Sequence, residues 1–175
     1  MLWPENVFTH TPNAVKAMTT PETLALDRLD RKIIDTLQRQ GRLPMTELAQ
    51  QVGLSTSPVT ERVRRLERAG VITGYHARVA PAALGRPLLV FVELTLSSKS
   101  GELFEKLRSE LLTEPRVLEC HLVSGRFDYL IKARLSAMSE YRELLAQLLR
   151  KIPVPAQSNS YVVMEEIKET MELPV

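Results

Sequence analysis

The sequence predicts an α+β protein of two dissimilar domains, and three observations support this. In the first half, apolar residues recur at helical spacing in three short segments separated by glycines. In the second half, the pattern alternates in the order strand, helix, strand, strand, helix, strand. Residues 81–87, with two prolines and a glycine between the halves, are typical of a hinge.

The composition is that of an ordinary soluble protein, with 44% hydrophobic and 25% charged residues among 175. The lone cysteine, Cys120, cannot form an intrachain disulfide, and we expect it to be a small core residue. No run approaches the roughly 20 apolar residues of a membrane helix, and the first residues lack the features of a secretory signal. We therefore expect a cytoplasmic protein with no membrane partner.

Charge is distributed unevenly, although the net charge is only +2. Residues 27–80 carry ten Lys and Arg against six Asp and Glu, whereas residues 87–175 carry eleven against thirteen. A basic N-terminal half and an acidic C-terminal half are typical of a DNA-binding module joined to a domain with another function. Chance asymmetry is the alternative interpretation.

Residues 1–26 contain three prolines and little periodicity, which predicts a flexible N-terminal extension. Met18 is an alternative natural start within it. Two short helices are predicted next. The first begins after the N-cap Asp27 and ends at Gly41, and the second begins at Pro44 and ends at Gly53. The apolar stripe of the first helix is Leu29, Ile33, Ile34 and Leu37.

A third helix follows the tight turn at Gly53, with Ser55 or Ser57 as its cap and Pro58 in its first turn. Its apolar stripe faces the other helices, and Arg62 lies near the buried edge. The opposite face combines hydroxyls with arginines, a pattern typical of a helix that reads DNA. We expect five residues to contact DNA: Ser57, Thr60, Arg64, Arg65 and Arg68. A solvated charged face is the alternative.

Residues 71–72 and 75–79 are predicted as two strands of a short wing around Thr73–Gly74. Together with the three helices they complete a winged helix-turn-helix domain over residues 27–80. In the second half, strands are predicted at 88–96, 117–123, 127–135 and 160–167, with helices at about 101–113 and from Tyr141 to Pro153.

This order of elements predicts a ferredoxin-like βαββαβ domain over residues 88–170, with a tail at 171–175. Two helices cover one face of a four-stranded antiparallel sheet. The other face has no cover in a monomer, so we expect a partner sheet.

No catalytic or metal-binding motif is present, and the three histidines have no metal-ligand spacing. We expect neither enzyme activity nor a cofactor. The most site-like segment is the turn at residues 121–129, where a glycine can expose backbone N–H groups to a carboxylate. Asp128 could accept an ammonium group, so the turn suits the two charged ends of an amino acid. An ordinary hairpin is the alternative.

Several segments, in order across residues 26–170, resemble the Lrp/AsnC family of transcription regulators. The similar segments are 26–30 (LDRLD), 61–68 (ERVRRLER), 89–93 (LVFVE), 119–125 (ECHLVSG) and 161–166 (YVVMEE).

The resemblance implies a winged helix-turn-helix followed by a sheet domain of RAM/ACT-like type that dimerises and senses an amino acid. Such dimers assemble into tetramers, octamers or larger discs. It also implies that the effector, leucine or another amino acid, binds between dimers near seven residues: Ser124, Gly125, Arg126, Asp128, Tyr129, Ser158 and Ser160.

We therefore interpret the chain as a sequence-specific DNA-binding transcription regulator associated with the nucleoid. Its dimer is expected to read a pseudo-palindromic operator with half-sites about one helical turn apart. Two alternatives remain open. One is an enzyme like the sirohaem decarboxylases, which share this architecture but line their pocket with histidines. The other is a DNA-organising protein without sequence specificity.

Overall fold

The computed structural model describes residues 24–97, 100–152 and 156–175. Most of the predicted N-terminal extension and Pro153 lie outside these residues. The chain divides into two compact units, which are described in turn. The first contains the described residues up to Arg78 together with Lys168–Val175, and the second is Val79–Ile167. No helix in the described ranges is long and apolar enough to cross a membrane.

Three helices build the first unit: α1 (Arg28–Arg39), α2 (Met45–Val52) and α3 (Thr56–Arg68). Asp27 caps α1 as predicted, because its carboxylate accepts from the Asp30 backbone N–H at 2.8 Å. Gly53 ends α2 in the left-handed region at φ 79°, which makes the sharp turn into α3. Of the two predicted caps of α3, Ser55 occupies the N-cap position, although its side chain makes no capping hydrogen bond within the described chain.

The core of the first unit is formed by the predicted apolar stripes, which meet where the three helices converge. Every one of its central side chains is at most 6% exposed. They are Ile33 and Leu37 of α1, Leu48, Ala49 and Val52 of α2, and Val59, Val63 and Leu66 of α3. This packing fixes which face of α3 is left for solvent or a ligand.

The two predicted wing strands are wrong as regular strands, since residues 71–80 contain no β-strand. The backbone N–H groups of Val71 and Ile72 both donate to the Leu66 carbonyl, at 2.9 and 3.2 Å, and so complete the end of α3. Donors used in this way cannot form a strand ladder. Tyr75 packs against the helical core, and its hydroxyl donates to Glu67 at 3.0 Å.

The second unit begins with one 3₁₀ turn over Pro81–Leu84 inside the predicted hinge. It then has the predicted order of elements: β1 (Leu88–Leu96), α4 (Gly101–Thr113), β2 (Val117–Leu122), β3 (Tyr129–Leu135), α5 (Met138–Lys151) and β4 (Ala156–Val162). The strands form one antiparallel sheet in the order β2-β3-β1-β4. This is the ferredoxin-like arrangement that the sequence predicted.

Alternate residues of the central strands β1 and β3 face the two helices and are buried with them in one core. The opposite face of the sheet carries Phe91, Leu130 and Tyr161, and the Tyr161 side chain is 51% exposed. Lys132 and Glu119 form an ion pair on the same face at 3.0 Å. The described residues leave much of this face open, as expected, and the partner sheet stays a prediction.

The last strand was predicted too late in the chain. Its observed antiparallel register pairs Ala156 with Leu96 and Val162 with Val90, so β4 begins beside the end of β1 and stops near the beginning of β1. Only Val163 adds one further bond, from its N–H to the Leu89 carbonyl at 3.0 Å. Met164 and Ile167 are apolar residues on which the predicted strand at 160–167 was based. They are 100% and 91% exposed.

The end of the described chain belongs to the first unit, whereas the sequence placed residues up to 170 in the sheet domain and 171–175 in a tail. The Gln38 side-chain amide of α1 brackets the Leu173 backbone, donating to its carbonyl at 2.9 Å and accepting from its N–H at 2.7 Å. Arg78 donates to the Glu169 carbonyl at 3.2 Å.

The expectation that Cys120 lies in the core is also wrong, because the residue is exposed. It lies on β2, an edge strand that the helices cover incompletely, and five of the six β2 residues are exposed. Partial desolvation still raises the pKa of the Cys120 thiol to about 11, which favours the protonated thiol at neutral pH.

Candidate DNA-reading helix and effector loop

The outer face of α3 is positioned by its inner face. Val59, Val63 and Leu66 are at most 2% exposed, so the helix cannot rotate about its axis without uncovering the core. Ser57 and Arg64 are consequently exposed. Arg64 has no hydrogen bond or ion pair with any residue that the structure describes, so its guanidinium is available to a phosphate or a guanine edge.

Arg68 is exposed but paired, since it donates to Glu61 at 2.8 Å. Arg68 also holds the pKa of the Glu61 carboxyl below its ordinary value. Both side chains are about two-thirds exposed, at 64% and 65%. An ion pair that exposed is worth little in water, so Arg68 can leave it for a stronger anion such as a phosphate.

Thr60 is only partly accessible among the predicted polar contacts. Its hydroxyl donates to the Thr56 carbonyl one turn earlier, at 2.8 Å, and the residue is partly buried. The hydroxyl proton is therefore occupied within the helix. What remains for a base or a phosphate group is the oxygen as an acceptor and the side-chain methyl as an apolar contact.

Two arginines of α3 are attached to α1 through a fully buried carboxylate, that of Asp30. Arg62, which lies near the buried edge as predicted, donates to Asp30 at 2.7 Å and to Asp27 at 2.7 Å and so has a structural role. Arg65 donates to the second Asp30 oxygen at 2.5 Å. Arg65 was predicted to contact DNA, and the structure places one side of its guanidinium on Asp30, while the DNA contact stays a prediction.

The charge of Asp30 suits the first turn of α1 by itself, so its role as this anchor was not predicted. A signal was nevertheless present: Asp30 precedes Ile33 by three residues and Leu37 by seven, so it occupies the apolar stripe. A carboxylate is stable in such a position only when cations and hydrogen-bond donors reach it.

The predicted effector loop between β2 and β3 is tied to the sheet by Asp128. Its backbone N–H donates to the Leu94 carbonyl at 2.9 Å, and its carbonyl accepts from Val123 at 2.9 Å. Its carboxylate accepts from the Leu96 N–H at 2.8 Å, and the residue is only 5% exposed. This carboxylate is therefore a structural acceptor as well as a candidate for an ammonium group.

Tyr129, the next residue, belongs to the core of the second unit and is 4% exposed. Its ring lies 6.0 Å from that of Phe104, centroid to centroid. Burial is the main cause that raises the pKa of its hydroxyl, to about 12. The structure thus gives Tyr129 a packing position rather than a place on the loop surface.

Ser124, Gly125 and Arg126 form the exposed part of the loop. Gly125 does not adopt a positive φ, and a Cβ built on it would meet nothing within 4 Å. Its backbone therefore does not require glycine, and the missing side chain leaves the main chain open to a ligand. Arg126 lies near enough to Tyr161 to lower the pKa of that phenol, although the Glu93 hydrogen bond dominates and raises it.

Ser158 and Ser160 lie on β4, across the sheet from the loop. Ser158 pairs with Leu94, whose other neighbour is Tyr129, so one cross-strand row joins β4 to the end of the loop. The hydroxyl of Ser160 is hydrogen-bonded to that of Tyr141 on α5. A cavity of about 270 Å³ lies beside this row, lined by Thr95, Leu96, Ser97, Ala156 and Gln157.

The structure therefore brings some predicted effector residues together and not others. Asp128, Tyr129 and Ser158 lie at the same end of the sheet, with β1 between Tyr129 and Ser158, and Ser160 lies two residue pairs further along β4. The exposed loop residues 124–126 do not line the cavity near them. In the described part of the chain no group of three or more His, Cys, Asp or Glu side chains could hold a metal ion.

Comparison with protein families gives two matches that together cover most of the chain. Residues 26–73 match the family described as winged helix-turn-helix DNA-binding, and residues 89–173 match the Lrp/AsnC ligand binding domain. The boundary between the two matches coincides with the 3₁₀ turn before β1 and the residues around it.

Individual proteins that are similar to this chain belong to the same group of regulators. The leucine-responsive regulatory protein of Haemophilus influenzae is 46% identical over 156 residues, which cover 89% of this chain and 94% of that protein. An AsnC family transcriptional regulator from Agrobacterium tumefaciens has a similar crystal structure, with a TM-score of 0.81 and 34% identity over 85% of this chain and 97% of that one. A Neisseria meningitidis transcriptional regulator in complex with L-Met also gives 0.81 and 34%, over 86% and 97%.

The expected resemblance is thereby confirmed, and the α+β fold class with it. Two consecutive domains, in the family order and over nearly the full length of the relatives, account for the helical unit and the sheet unit. The chain belongs to the Lrp/AsnC family of transcription regulators and joins a winged helix-turn-helix to that family's ligand-binding domain.

Proposed function

We propose that this protein is a cytoplasmic, nucleoid-associated regulator that binds a pseudo-palindromic operator as a homo-oligomer and responds to a small amino acid. The observation that carries the DNA side of the proposal is the exposed guanidinium of Arg64, which has no hydrogen-bond or ion-pair partner among the described residues, on a helix whose opposite face is fixed in the core. Ser57 and Arg68 share its exposure, while Thr60 and Arg65 are partly engaged within the unit.

The amino-acid side of the proposal is supported by the relatives and by the loop. One similar regulator is described with L-Met bound, and others are named leucine-responsive. In this chain the loop backbone at Ser124–Gly125–Arg126 is open to a carboxylate, and Asp128, two residues after Arg126, supplies a carboxylate for an ammonium group. Leucine and methionine are therefore the first effectors to test.

Self-association is supported by the open face of the sheet. Phe91, Leu130 and Tyr161 present apolar surface there between charged pairs such as Lys132–Glu119. A two-fold axis across this face would pair two copies, and further contacts would give a tetramer or octamer. A dimer places two copies of α3 on the duplex, which is why the operator is expected to be pseudo-palindromic.

The DNA side is tested with Arg64→Ala in a mobility-shift titration at fixed salt. We expect its operator affinity to fall about tenfold to a hundredfold, the effect of losing a phosphate or bidentate guanine contact in both half-sites. The matched control is Arg142→Ala, which removes an exposed helical arginine from the sheet unit and should leave affinity unchanged. Equal affinities for Arg64→Ala and the wild type would remove α3 from the interface.

Operator DNA is compared with random DNA of equal length in the same titration. A sequence-specific regulator binds its operator about a thousandfold or more tightly than random DNA, whereas a DNA-organising protein does not discriminate.

Thermal unfolding in the presence of each of the twenty amino acids tests the effector side of the proposal. An amino acid that binds the native state raises the melting temperature, and no shift with any of them would contradict the effector assignment.

A further inference from the structure

The buried acid Asp30 divides the arginines of α3 into two functional kinds. Arg62 reaches both Asp27 and Asp30, and its side chain is only 26% exposed. Within residues 24–97, 100–152 and 156–175, Arg65 makes one hydrogen bond, from Nη2 to Asp30, and its side chain is 41% exposed. Arg62 is thus enclosed by the cluster, whereas Arg65 stands at its rim.

The guanidinium of Arg65 is held along one edge only. Its Nε is buried and has no hydrogen-bond partner in the described part of the chain, so the inner edge is fixed but incompletely satisfied. The side chain remains partly exposed, and the N–H groups of its opposite edge, on Nη1 and the outer side of Nη2, make no hydrogen bond to the residues that the structure describes, so they are the donors left for a ligand. A planar guanidinium group held along one edge presents the N–H donors of its other edge in a fixed direction.

We propose that Asp30 is a positioning residue of the DNA interface, which orients Arg65 so that its outer edge donates to a backbone phosphate at the flank of α3. This inference rests on the proposed function, because it assumes that α3 enters the duplex. The Arg65–Asp30 ion pair is then compatible with a DNA contact, because the Asp30 carboxylate and the phosphate would bind two different edges of the Arg65 guanidinium.

This arrangement favours DNA binding because the orientation of the Arg65 side chain is already fixed in the free protein. A free arginine loses rotamer freedom when it is immobilised at an interface, and Asp30 has already imposed that loss during folding. The buried carboxylate also links the position of Arg65 to the N-terminus of α1, because Asp30 closes the reciprocal cap with Asp27. Removing the acid should therefore weaken DNA binding through Arg65, about threefold to tenfold.

The experiment measures operator affinity of the full-length protein as a function of salt, since the slope counts the phosphates neutralised. Arg65→Ala should reduce the slope by about one for each copy of α3 on the duplex. Asp30→Asn should weaken binding, and in the Asp30→Asn/Arg65→Ala double variant the two losses should not add. The matched control is Arg62→Ala, which should lower the melting temperature but leave the salt slope unchanged.

Because Asp30→Asn could unfold the helical unit, Arg65→Lys gives an independent measurement. A lysine keeps the charge, and hence the slope, but cannot present a fixed fork to two anions, so affinity should fall several-fold. Wild-type affinity in Arg65→Lys, an unchanged slope in Arg65→Ala, or additive losses in the double variant would each overturn the inference. If Arg64→Ala still weakens binding, the proposed function survives that failure; if Arg64→Ala is also neutral, the proposed function fails too.

Discussion

The carboxylate of Asp128 accepts a hydrogen bond from the Leu96 backbone N–H at 2.8 Å, in a site where the residue is only 5% exposed. The bond joins the end of the β2–β3 loop to the end of β1. Any ligand that draws the Asp128 carboxylate towards itself must therefore disturb the last residue of a central strand. The loop is in this way mechanically connected to the sheet.

Asp128→Ala is accordingly expected to have two separable effects. It should abolish the response of DNA binding to the amino-acid effector while DNA binding itself persists. It should also lower the free energy of unfolding by about 1–3 kcal/mol, because the buried Leu96 N–H loses its acceptor. Urea unfolding measures the second effect and effector titration of the DNA complex the first. A normal effector response in a stably folded Asp128→Ala protein would place the site elsewhere.

Gly125→Ala tests the loop without disturbing the fold. A Cβ at this position meets nothing within 4 Å and the backbone φ is not positive, so stability should change by less than about 0.5 kcal/mol. If an amino-acid carboxylate approaches the Gly125 backbone, the added methyl group should weaken effector binding at least several-fold. Isothermal titration measures the binding, and unchanged affinity would argue against backbone capture at this residue.

Gly53→Ala should destabilise the helical unit by about 1 kcal/mol, because φ at this position is 79° and alanine is strained there. The tight turn between α2 and α3 depends on this conformation. Gly101→Ala is the matched control, since its backbone is helical and its Cβ would have open space. Thermal unfolding of both variants should show a loss for the first and no loss, or a small gain, for the second.

Glu140 should contribute to the pH dependence of stability. The backbone and hydroxyl of Ser136, followed by Arg86, lower the pKa of its carboxyl to about 2. Because the pKa of Glu140 is lower in the folded state than its value of 4.5 in the unfolded chain, the ionised carboxylate stabilises the fold. This contribution is fully present above about pH 4.5 and is lost as the pH falls through about 2. Glu140→Gln should therefore cost about 1 kcal/mol at pH 7 and progressively less below pH 4.5. Urea unfolding at several pH values measures this, and a constant difference down to pH 2 would contradict it.

Elements with strong local patterns were predicted with their boundaries nearly correct. β1 and α4 have the predicted bounds, because the apolar alternation of the strand and the stripe of the helix end where their packing partners end. β4 was displaced because its apolar residues 161–167 outweighed the weaker pattern at Ala156–Val162. Register with β1 decides that boundary, and register is a property of two strands rather than one.

The site shows the same limit of local reasoning. Exposure of Arg64 and burial of the inner face of α3 follow from helical periodicity alone. The attachment of Arg65 to Asp30 joins residues 35 apart, and no local pattern on α3 reports it. Likewise Tyr129 looks like part of a loop motif in sequence but lies in the core, because β3 begins at that residue.

The bracket between Gln38 and Leu173 closes over 135 residues of chain. At a synthesis rate of about 5–20 residues per second, the ribosome needs roughly 7–27 s to travel that distance. The three helices can pack long before then, but their unit stays incomplete until Leu173 has been synthesised. Completion of the DNA-binding unit therefore comes after the sheet unit has emerged, so a chain released early lacks a piece of its first domain as well as its second.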